Sequence, residues 1–185
     1  MRCFIGLALP LEARESLAAA LVPLRSTLGR LSWTASENYH LTLAFLGELE
    51  APWVELAAAA LDSAARFGEI AFSFAGLGSF PPRGALRVLY ARLAEGGVSA
   101  KLQRIVAKAL AGAGFPPRPG GEKPFTPHIT LARANSGRGP VLRSLPAIAV
   151  PGGAWTLGRC SLYKSLLLRS GAVYTELRGV DLAPR

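Results

Sequence analysis

Residues 40–44 read His-Leu-Thr-Leu-Ala and residues 128–132 read His-Ile-Thr-Leu-Ala, so one pentapeptide occurs twice, 88 positions apart. The chain of 185 residues has two histidines, and each of them opens one copy. Successive side chains of a β-strand point to opposite faces, so each copy sets an imidazole next to a hydroxyl on one face and anchors the other face in the core. If the two strands lie in lobes related by a pseudo-two-fold axis, the two pairs converge on one cleft.

The two pairs, His40 with Thr42 and His128 with Thr130, suit acid–base chemistry on a phosphate. Imidazole titrates near neutrality, so one ring can act as a base while the other, protonated, acts as an acid. Threonine hydroxyls can donate hydrogen bonds to the non-bridging phosphate oxygens. No His-Glu-x-x-His motif or carboxylate cluster accompanies the histidines, so a metal mechanism lacks its usual ligands. The set therefore predicts in-line cleavage of a phosphodiester with no metal and no cofactor.

The charge balance indicates a polyanionic partner. Lys and Arg total 21 against 12 acidic residues, which gives a net charge of +9 and a pI near 10.4, and 17 of the cations are arginine. Such an excess attracts nucleic acid above all, because each neutralised phosphate releases condensed counterions. A coding bias toward Arg, Ala, Gly and Pro would also produce this composition, so charge alone leaves the partner open.

Composition predicts a globular protein. Half of the residues are apolar (50%) and 18% are charged, which is enough apolar surface for a core and too little charge for wholesale disorder. No uninterrupted stretch of about 18 apolar residues occurs, which disfavours a membrane span, and residues 1–16 lack the small-residue cleavage site of a secretory signal. Cys3 and Cys160 form no CxxC-type pair, which favours free thiols in a cytoplasmic protein over a disulfide framework.

Hydrophobic periodicity predicts three helices. The first begins near Pro10, the second begins at Pro52, and the third has Ser99 as its N-cap. The first helix carries a stripe of leucines at residues 17, 21, 24, 28 and 31. That spacing of four and three residues is the signature of one amphipathic helix.

Runs rich in β-formers predict the strands between and after these helices. The predicted strands cover residues 2–9, 39–46, 69–77, 85–93, 128–133, 155–168 and 173–177. Residues 78–84 and 115–127 are rich in Gly and Pro and are predicted to be loops. This order of elements, with hairpin-length connections, predicts an α+β fold with largely antiparallel sheets. No low-complexity linker divides the chain, so we expect a single domain, residues 1–185, made of two intertwined lobes.

Aromatic residues near the two motifs are candidates for stacking on a terminal base. Phe125 lies just before the second motif, and Trp33 and Tyr39 lie before the first. Single-strand binding proteins use such side chains as platforms, whereas packing in a core or at a loop base is the commoner role of aromatic residues. Phe45 alternates with the core-facing residues of its strand, so it is predicted to be structural.

With these motifs the chain resembles the 2H phosphoesterase superfamily, whose name comes from two H-x-[ST]-x motifs. It is most similar to the bacterial RNA 2′,3′-cyclic phosphodiesterases, formerly called 2′-5′ RNA ligases. The resemblance covers nearly the whole chain. The matching stretches are residues 2–10, 38–47, 125–133, 163–166 and 171–174, together with Trp33.

The resemblance implies a bilobal α+β fold with pseudo-two-fold symmetry. Two mostly antiparallel sheets would flank a central cleft, with helices packed outside. The implied reaction is metal-independent hydrolysis of a 2′,3′-cyclic phosphate at an RNA 3′ end to a 2′-phosphate. We expect the substrate to be RNA with such an end or a cyclic nucleotide, and the protein to be a monomer that needs no membrane.

The same resemblance implies roles for individual residues. His40 and His128 would be the acid–base pair, with His128 as base and His40 as acid, and Thr42 and Thr130 would bind the phosphate. Arg133 matches a family arginine thought to help hold the phosphate. Strict alternation puts Arg133 on the face opposite His128, so this role requires a bulge or the end of the strand.

Three alternatives remain open, and the first two use the same residues. The same site could carry out 2′-5′ RNA ligation, or it could open a small cyclic nucleotide phosphate. The third alternative is a non-catalytic, basic RNA-binding module with incidental histidines, which predicts salt-sensitive binding without turnover.

Overall fold

The computed structural model describes residues 1–28, 31–116, 124–134, 139–141, 144–146, 148–168 and 171–184. Its strands are β1 (Arg2–Ala8), β2 (Leu31–Trp33), β3 (His40–Glu48), β4 (Ile70–Phe80), β5 (Val88–Ala94), β6 (His128–Ala134), β7 (Trp155–Leu157), β8 (Arg159–Leu168) and β9 (Gly171–Asp181). Its α-helices are α1 (Leu11–Ala20), α2 (Val22–Thr27), α3 (Ala51–Ala60) and α4 (Val98–Gly112). The predicted α+β class and the antiparallel pairing are confirmed.

The strands form two halves that meet edge to edge. The His40 half has the strand order β3-β1-β8-β9, and the His128 half has the order β6-β5-β4-β7, with β2 also paired to β6. The halves are joined where Leu41 of β3 lies opposite Ile129 of β6 in antiparallel pairing. The two predicted sheets are therefore continuous, through the strands that carry the two pentapeptides.

The two halves repeat one arrangement around this junction. In the His40 half, β1 leads through helices to β3 and pairs with it, and in the His128 half β5 leads through α4 to β6 and pairs with it. Both motif strands carry a bulge at the same place. Between β1 and β3 the register skips Leu43, and between β5 and β6 it skips Leu131. The repeat in the sequence therefore corresponds to a repeat in the backbone.

The apolar residues of the motifs are part of the core. Leu41, Ile129 and Leu131 are fully buried, and Leu102 and Val106 of α4 are buried in the same cluster. Because this face of the sheet is buried, the opposite face, which carries the histidines, is the one that lines the cleft. Among the described residues, no helix has the length and apolarity needed to cross a bilayer.

The first predicted helix is two helices. Helix α1 ends at Ala20 and α2 begins at Val22, and Leu31 of the leucine stripe belongs to β2. The physical reason is Pro23, which has no backbone N–H and disfavours helical geometry in the residue before it. The stripe itself is buried at Leu17, Leu21 and Leu24.

Two further predictions of local structure are wrong. Ser99 is not an N-cap: helix α4 begins after Gly97, whose φ is +75°, and the Glu95 carboxylate accepts hydrogen bonds from the Ser99 N–H at 2.6 Å and its hydroxyl at 3.0 Å. The predicted loop at residues 78–84 begins later, because Gly78 to Phe80 pair with β5. This extension carries Phe80 toward His128. Residues 117–123 of the second predicted loop lie outside the described residues.

Candidate active site

His40 begins β3 and is held by two hydrogen bonds. Its Nδ1 lies 2.7 Å from the carbonyl oxygen of Asn38, and because a carbonyl only accepts, Nδ1 donates. The other ring nitrogen, Nε2, then carries the lone pair of the neutral imidazole. Nε2 lies 2.9 Å from the Thr42 hydroxyl, which donates to it. His40 is thus oriented in one tautomer with its acceptor nitrogen beside Thr42.

His128 begins β6 with the same backbone contact. Its Nδ1 donates to the carbonyl oxygen of Thr126 at 2.7 Å, two residues earlier, as in the first motif. The second histidine therefore also has Nε2 as its acceptor when neutral. Each motif positions its imidazole through the carbonyl two residues before it.

The junction between the halves brings the two motifs together. Leu41 and Ile129 are paired in antiparallel register, so the same register sets His40 across from Thr130 and Thr42 across from His128. Directly opposite side chains of an antiparallel pair lie about 5 Å apart at Cβ. All four residues are half-buried. The structure thus places two imidazoles and two hydroxyls on one face, around one point.

Both imidazoles have lowered pKa values. Burial lowers the pKa of His40 to about 4, against the opposing effect of its hydrogen bond to Asn38, and the charges of His128 and Arg133 lower it further. Burial also lowers the pKa of His128, and the Arg133 charge adds to this effect. Both rings are therefore biased toward the neutral form, His40 most strongly.

Arg133 faces the same cleft. After the bulge at Leu131, the buried residues Leu131 and Ala132 are consecutive, and the exposed Arg133 follows. The bulge shifts the alternation by one residue, so Arg133 lies on the same face of the strand as His128, as its predicted role in holding the phosphate requires. The Arg133 charge affects the pKa of His40, His128 and Tyr174, so its guanidinium lies within electrostatic reach of all three.

Phe45 occupies the equivalent position in the first motif, and its predicted place on the core-facing side of the strand is wrong. The same bulge makes Leu43 and Ala44 consecutive buried residues, and the Phe45 side chain is 50% exposed. Its ring centroid lies 6.2 Å from that of Phe4, a residue that contacts His40. Strict alternation failed here because a bulge is set by the pairing strand, which the motif itself does not reveal.

Each histidine is flanked by aromatic rings that the sequence analysis did not identify. Phe4 lies 4.6 Å from His40 and Tyr174 lies 5.2 Å from it, between ring centroids. Phe80 and Tyr90 lie 5.1 and 5.2 Å from His128. These residues come from strands beside the motif strands, so identifying them requires the strand order.

Of the predicted stacking candidates, Tyr39 is wrong. Its side chain is fully buried, and its hydroxyl accepts a hydrogen bond from Arg25 Nη2 at 3.3 Å. The signal was present in the sequence, because Tyr39 adjoins His40 and alternation turns it to the other face. Trp33 is half-buried with the Arg25 guanidinium 5.3 Å from its ring. Phe125 is half-buried and packs against the core.

A pocket of about 260 Å³ opens beside His40. Its walls include Phe4, Asn38, His40, Tyr163 and Tyr174. Tyr163 is stacked on Phe4, with 5.1 Å between centroids and 23° between planes. The Asn38 side chain donates from Nδ2 to the carbonyl oxygen of Ala172 at 2.6 Å and so ties one wall to β9.

Glycines leave room for the rings next to both motifs. At Gly6, a Cβ atom would lie 2.7 Å from the Leu41 carbonyl oxygen and 3.4 Å from Cδ2 of His40. At Gly78, a Cβ atom would overlap the ring of Tyr90. Both positions therefore depend on the absence of a side chain.

Comparison with protein families gives one match that spans most of the chain. A family model described as LigT like Phosphoesterase matches residues 8–90 and 96–174. The match includes both pentapeptides and the strands β2 to β8, apart from the last four residues of β5.

Curated relatives carry a common name. Proteins named RNA 2′,3′-cyclic phosphodiesterase from Thermus thermophilus and Aeropyrum pernix are 35% and 32% identical to the chain. These alignments cover 98% and 92% of the chain and 90% and 93% of the relatives. A protein of the same name from Geobacillus stearothermophilus is 36% identical over 78% of the chain, but the chain spans about half of its length, 46%.

Solved structures show the same fold. A crystal structure of a Thermus thermophilus protein superposes with a TM-score of 0.82 at 30% identity, covering 98% of both chains. Escherichia coli LigT complexed with 3′-AMP superposes with a TM-score of 0.75 at 25% identity, again covering 98% of both chains.

Proposed function

The chain belongs to the LigT-like phosphoesterases of the 2H superfamily, and from that premise we propose that it is an RNA 2′,3′-cyclic phosphodiesterase that forms 2′-phosphate ends. The observation that carries the proposal is the pairing of Leu41 with Ile129, which opposes the two His-x-Thr pairs across one cleft. The names of the curated relatives support the reaction. The net charge of +9 supports an RNA substrate.

The proposed reaction is a single in-line displacement at phosphorus. A neutral histidine takes a proton from water, whose oxygen forms the new bond to phosphorus. The bond from phosphorus to the ribose 3′-oxygen breaks, and the other histidine, as imidazolium, gives its proton to that oxygen. The phosphate stays on the 2′-oxygen, and the two histidines have exchanged protonation states.

We assign His40 as the base and His128 as the acid, the reverse of the roles that the resemblance implies. The Thr42 hydroxyl lies 2.9 Å from Nε2 of His40 and donates to it when the ring is neutral. Burial lowers the pKa of His40 to about 4, so this ring is neutral before substrate binds. His128 is less deeply enclosed, which makes it the easier of the two to protonate.

A substrate with sulfur in place of the 3′-oxygen tests this assignment. A thiolate leaves without a proton, so the acid is needed only for the oxygen substrate. We expect the sulfur substrate to restore turnover to His128→Ala and not to His40→Ala. Rescue of His40→Ala instead would return the roles to those that the resemblance implies.

Thr42, Thr130 and Arg133 are proposed to hold the phosphate. Hydroxyls and a guanidinium donate hydrogen bonds, and the fixed charge of Arg133 stabilises the negative charge that develops on the non-bridging oxygens. The exposed ring of Phe45 lies toward the other end of the cleft, because β3 and β6 run antiparallel, and it is proposed to stack on the terminal base. Phe125, half-buried before His128, is a second stacking candidate.

Turnover in the presence of EDTA tests the function. An oligonucleotide with a 2′,3′-cyclic phosphate end is incubated with the protein and EDTA, and the product is identified by ³¹P NMR. We expect full turnover to a 2′-phosphate, because the two imidazoles supply the base and the acid and Arg133 supplies the positive charge on the phosphate. Activity that EDTA abolishes, or salt-sensitive binding without turnover, would reject the proposal.

Two further incubations separate the alternatives that use the same residues. A small cyclic nucleotide phosphate is compared with the oligonucleotide by kcat/KM, and a higher value for the small molecule would reject the RNA-end substrate. Adding a 5′-hydroxyl oligonucleotide tests ligation. We expect hydrolysis to exceed 2′-5′ joining at all concentrations of the acceptor.

We also propose that the protein acts as a cytoplasmic monomer, folded as a single domain. Cys3 and Cys160 are buried free thiols, as expected in a reducing compartment. Both histidines of the site come from one chain, so the site is complete without a second copy. Size-exclusion chromatography with light scattering should give a mass near 19.5 kDa.

A further inference from the structure

We propose that Arg92 of β5 binds the second phosphate of the RNA end, which is the phosphodiester that joins the terminal nucleotide to the one before it. The inference rests on the proposed function and adds a contact outside the reacting group. An RNA end that carries this phosphate should be a better substrate than one in which a neutral linkage replaces it.

The strand register places Arg92 beside His128 on the cleft face. Arg92 lies directly opposite His128 in the pairing of β5 with β6, and Tyr90 lies opposite Thr130. Directly opposite residues share one face of a sheet, with Cβ atoms about 5 Å apart. Ala91, between the two, is 1% exposed and belongs to the core, as alternation along the strand requires. Arg92 therefore adds a positive charge to the row that contains His128.

The Arg92 side chain is exposed, with small residues beside it. The facing stretch of β4 is the bulge between Phe74 and Leu77, so on that strand Arg92 has Ala75 and Gly76 next to it. A Cβ atom on Gly76 would meet no atom within 4 Å other than those of its chain neighbours. Within the described part of the chain, no carboxylate forms an ion pair with Arg92. The guanidinium can therefore bind an anion from solution.

The corresponding position of the His40 half has no positive charge. There, Ala8 lies opposite His40 in the pairing of β1 with β3. The acidic residue Glu37 lies near Ala8, since both line the pocket beside His40. A second phosphate would thus meet a carboxylate near His40 and a guanidinium near His128. This difference in charge favours the His128 half as its binding place.

The position of Arg92 also fits the connectivity of the substrate. The second phosphate is bonded to the 5′-oxygen of the same ribose that carries the cyclic phosphate and the terminal base, so it lies within one nucleotide of both. Phe45, proposed to stack on that base, lies toward the His128 end of the cleft, because β3 and β6 run antiparallel. Arg92 and Phe45 therefore flank the same end, and the guanidinium can donate paired N–H groups to the phosphate oxygens.

Two dinucleotides with the same cyclic end measure the contact. One has the normal phosphodiester, and the other has a neutral methylphosphonate in its place. We expect kcat/KM of the normal dinucleotide to be about tenfold higher, the lower end of the range for hydrogen bonds to charged groups, because Arg92 is exposed. Equal values for the two dinucleotides would overturn the proposal.

Variants then assign the effect to one residue. Arg92→Gln should reduce the ratio of normal to methylphosphonate dinucleotide to near one, whereas Arg92→Lys, which keeps the charge, should preserve most of it. Arg104→Gln is the matched control, because it removes the same charge from an exposed arginine of α4, a helix that packs on the core through Leu102 and Val106. A full ratio in Arg92→Gln would overturn the assignment. An equal loss on both dinucleotides would also overturn it, because Arg92 would then act on the cyclic phosphate.

Salt dependence gives a second measurement of the same contact. For the normal dinucleotide, the logarithm of kcat/KM should fall as the logarithm of the salt concentration rises. Losing one phosphate contact on a single strand should make that slope shallower by about 0.7 in Arg92→Gln. Arg104→Gln should keep the slope of the unmodified protein. Equal slopes for Arg92→Gln and the unmodified protein would contradict a direct contact.

The ratio separates this inference from the proposed function. A defect in catalysis lowers kcat/KM for both dinucleotides together and leaves the ratio intact. Absence of turnover with either substrate would reject the proposed function instead. In that case the Kd of the 2′-phosphorylated dinucleotide, with the phosphodiester and with the methylphosphonate, still decides whether Arg92 binds the second phosphate.

Discussion

The His40 half and the His128 half have the same backbone and different chemistry. Both begin a motif strand with histidine, orient it through the carbonyl two residues earlier, and bulge after threonine. After the bulge, the first half presents Phe45 and the second presents Arg133. The first half also has the pocket, and its histidine has the lower pKa, about 4.

Under the proposed function, this difference fits a pseudo-symmetric scaffold to an asymmetric substrate. An RNA end with a cyclic phosphate has a charged phosphate on one side and an aromatic nucleobase on the other. The displacement also needs one general base and one general acid. The shared backbone fixes the imidazoles and hydroxyls around one point. The residues after the bulge then make one half suited to a nucleobase and the other half suited to the phosphate anion.

The largest expected effect is loss of either histidine. His40→Ala and His128→Ala should each lower kcat by about 10²–10⁴, the contribution of one positioned proton transfer. Activity is measured on the cyclic-phosphate oligonucleotide, with circular dichroism as the control for folding. A folded variant with unchanged kcat would remove that half from the reaction.

The next largest effects are expected at the residues that follow the two bulges, Arg133 and Phe45. Arg133→Ala should lower kcat/KM about 10- to 100-fold on every substrate, because a charge-assisted hydrogen bond to the phosphate is lost. Phe45→Ala should lower it about tenfold, and only for substrates with a terminal base. A base-free ribose 2′,3′-cyclic phosphate is the discriminating substrate. Equal losses on it for the two variants would contradict the division of roles.

The unequal burial of the histidines predicts a pH effect on stability. The folded pKa of His40, about 4, is below its ordinary value of 6.5, so the unfolded chain binds the proton more readily. Stability is therefore unaffected well above pH 6.5 and falls as the pH drops from 6.5 toward 4. Between pH 7 and pH 5 the free energy of unfolding should fall by about 2 kcal/mol through this group.

Urea unfolding at both pH values measures this effect. In His40→Gln the free energy of unfolding should no longer show the change with pH that His40 contributes. In His128→Gln the change with pH should be reduced by a smaller amount. An identical change in the two variants would contradict the difference in burial.

The glycines give the smallest expected effects. Gly6→Ala places Cβ against the Leu41 carbonyl, a backbone atom, and should destabilise the fold by about 1–3 kcal/mol. At Gly78→Ala the nearest atoms belong to the Tyr90 ring, a side chain that can rotate, so the variant should cost less stability and shift the ring beside His128. Gly112→Ala, with open space around its Cβ position, is the control in thermal unfolding. Equal costs at Gly6 and Gly78 would mean that the two halves are packed alike.

Local patterns in the sequence were enough to predict the motif strands and their faces. Alternation alone places His40 beside Thr42 and buries Leu41, because both consequences follow from neighbours along one strand. The duplication of the pentapeptide supplied the rest, since it implied two equivalent strands and hence a shared cleft. The pairing of Leu41 with Ile129 agrees with that expectation.

Features that depend on neighbouring strands could not be predicted from the sequence. The faces of Phe45 and Arg133 are set by bulges against β1 and β5, and Phe80 and Tyr174 reach the histidines only through the strand order. No pattern within the motif encodes either feature. The split of the first helix is different, because Pro23 was a visible signal.

The most direct test of the paired site is the double variant His40→Ala/His128→Ala, compared with both single variants. Groups that act together on one phosphorus have strongly non-additive effects, because losing one removes most of what the other contributes. We predict that kcat of the double variant is close to that of the slower single variant. A kcat lowered by the product of the two single effects would contradict a shared site, because it would show that the two histidines act independently.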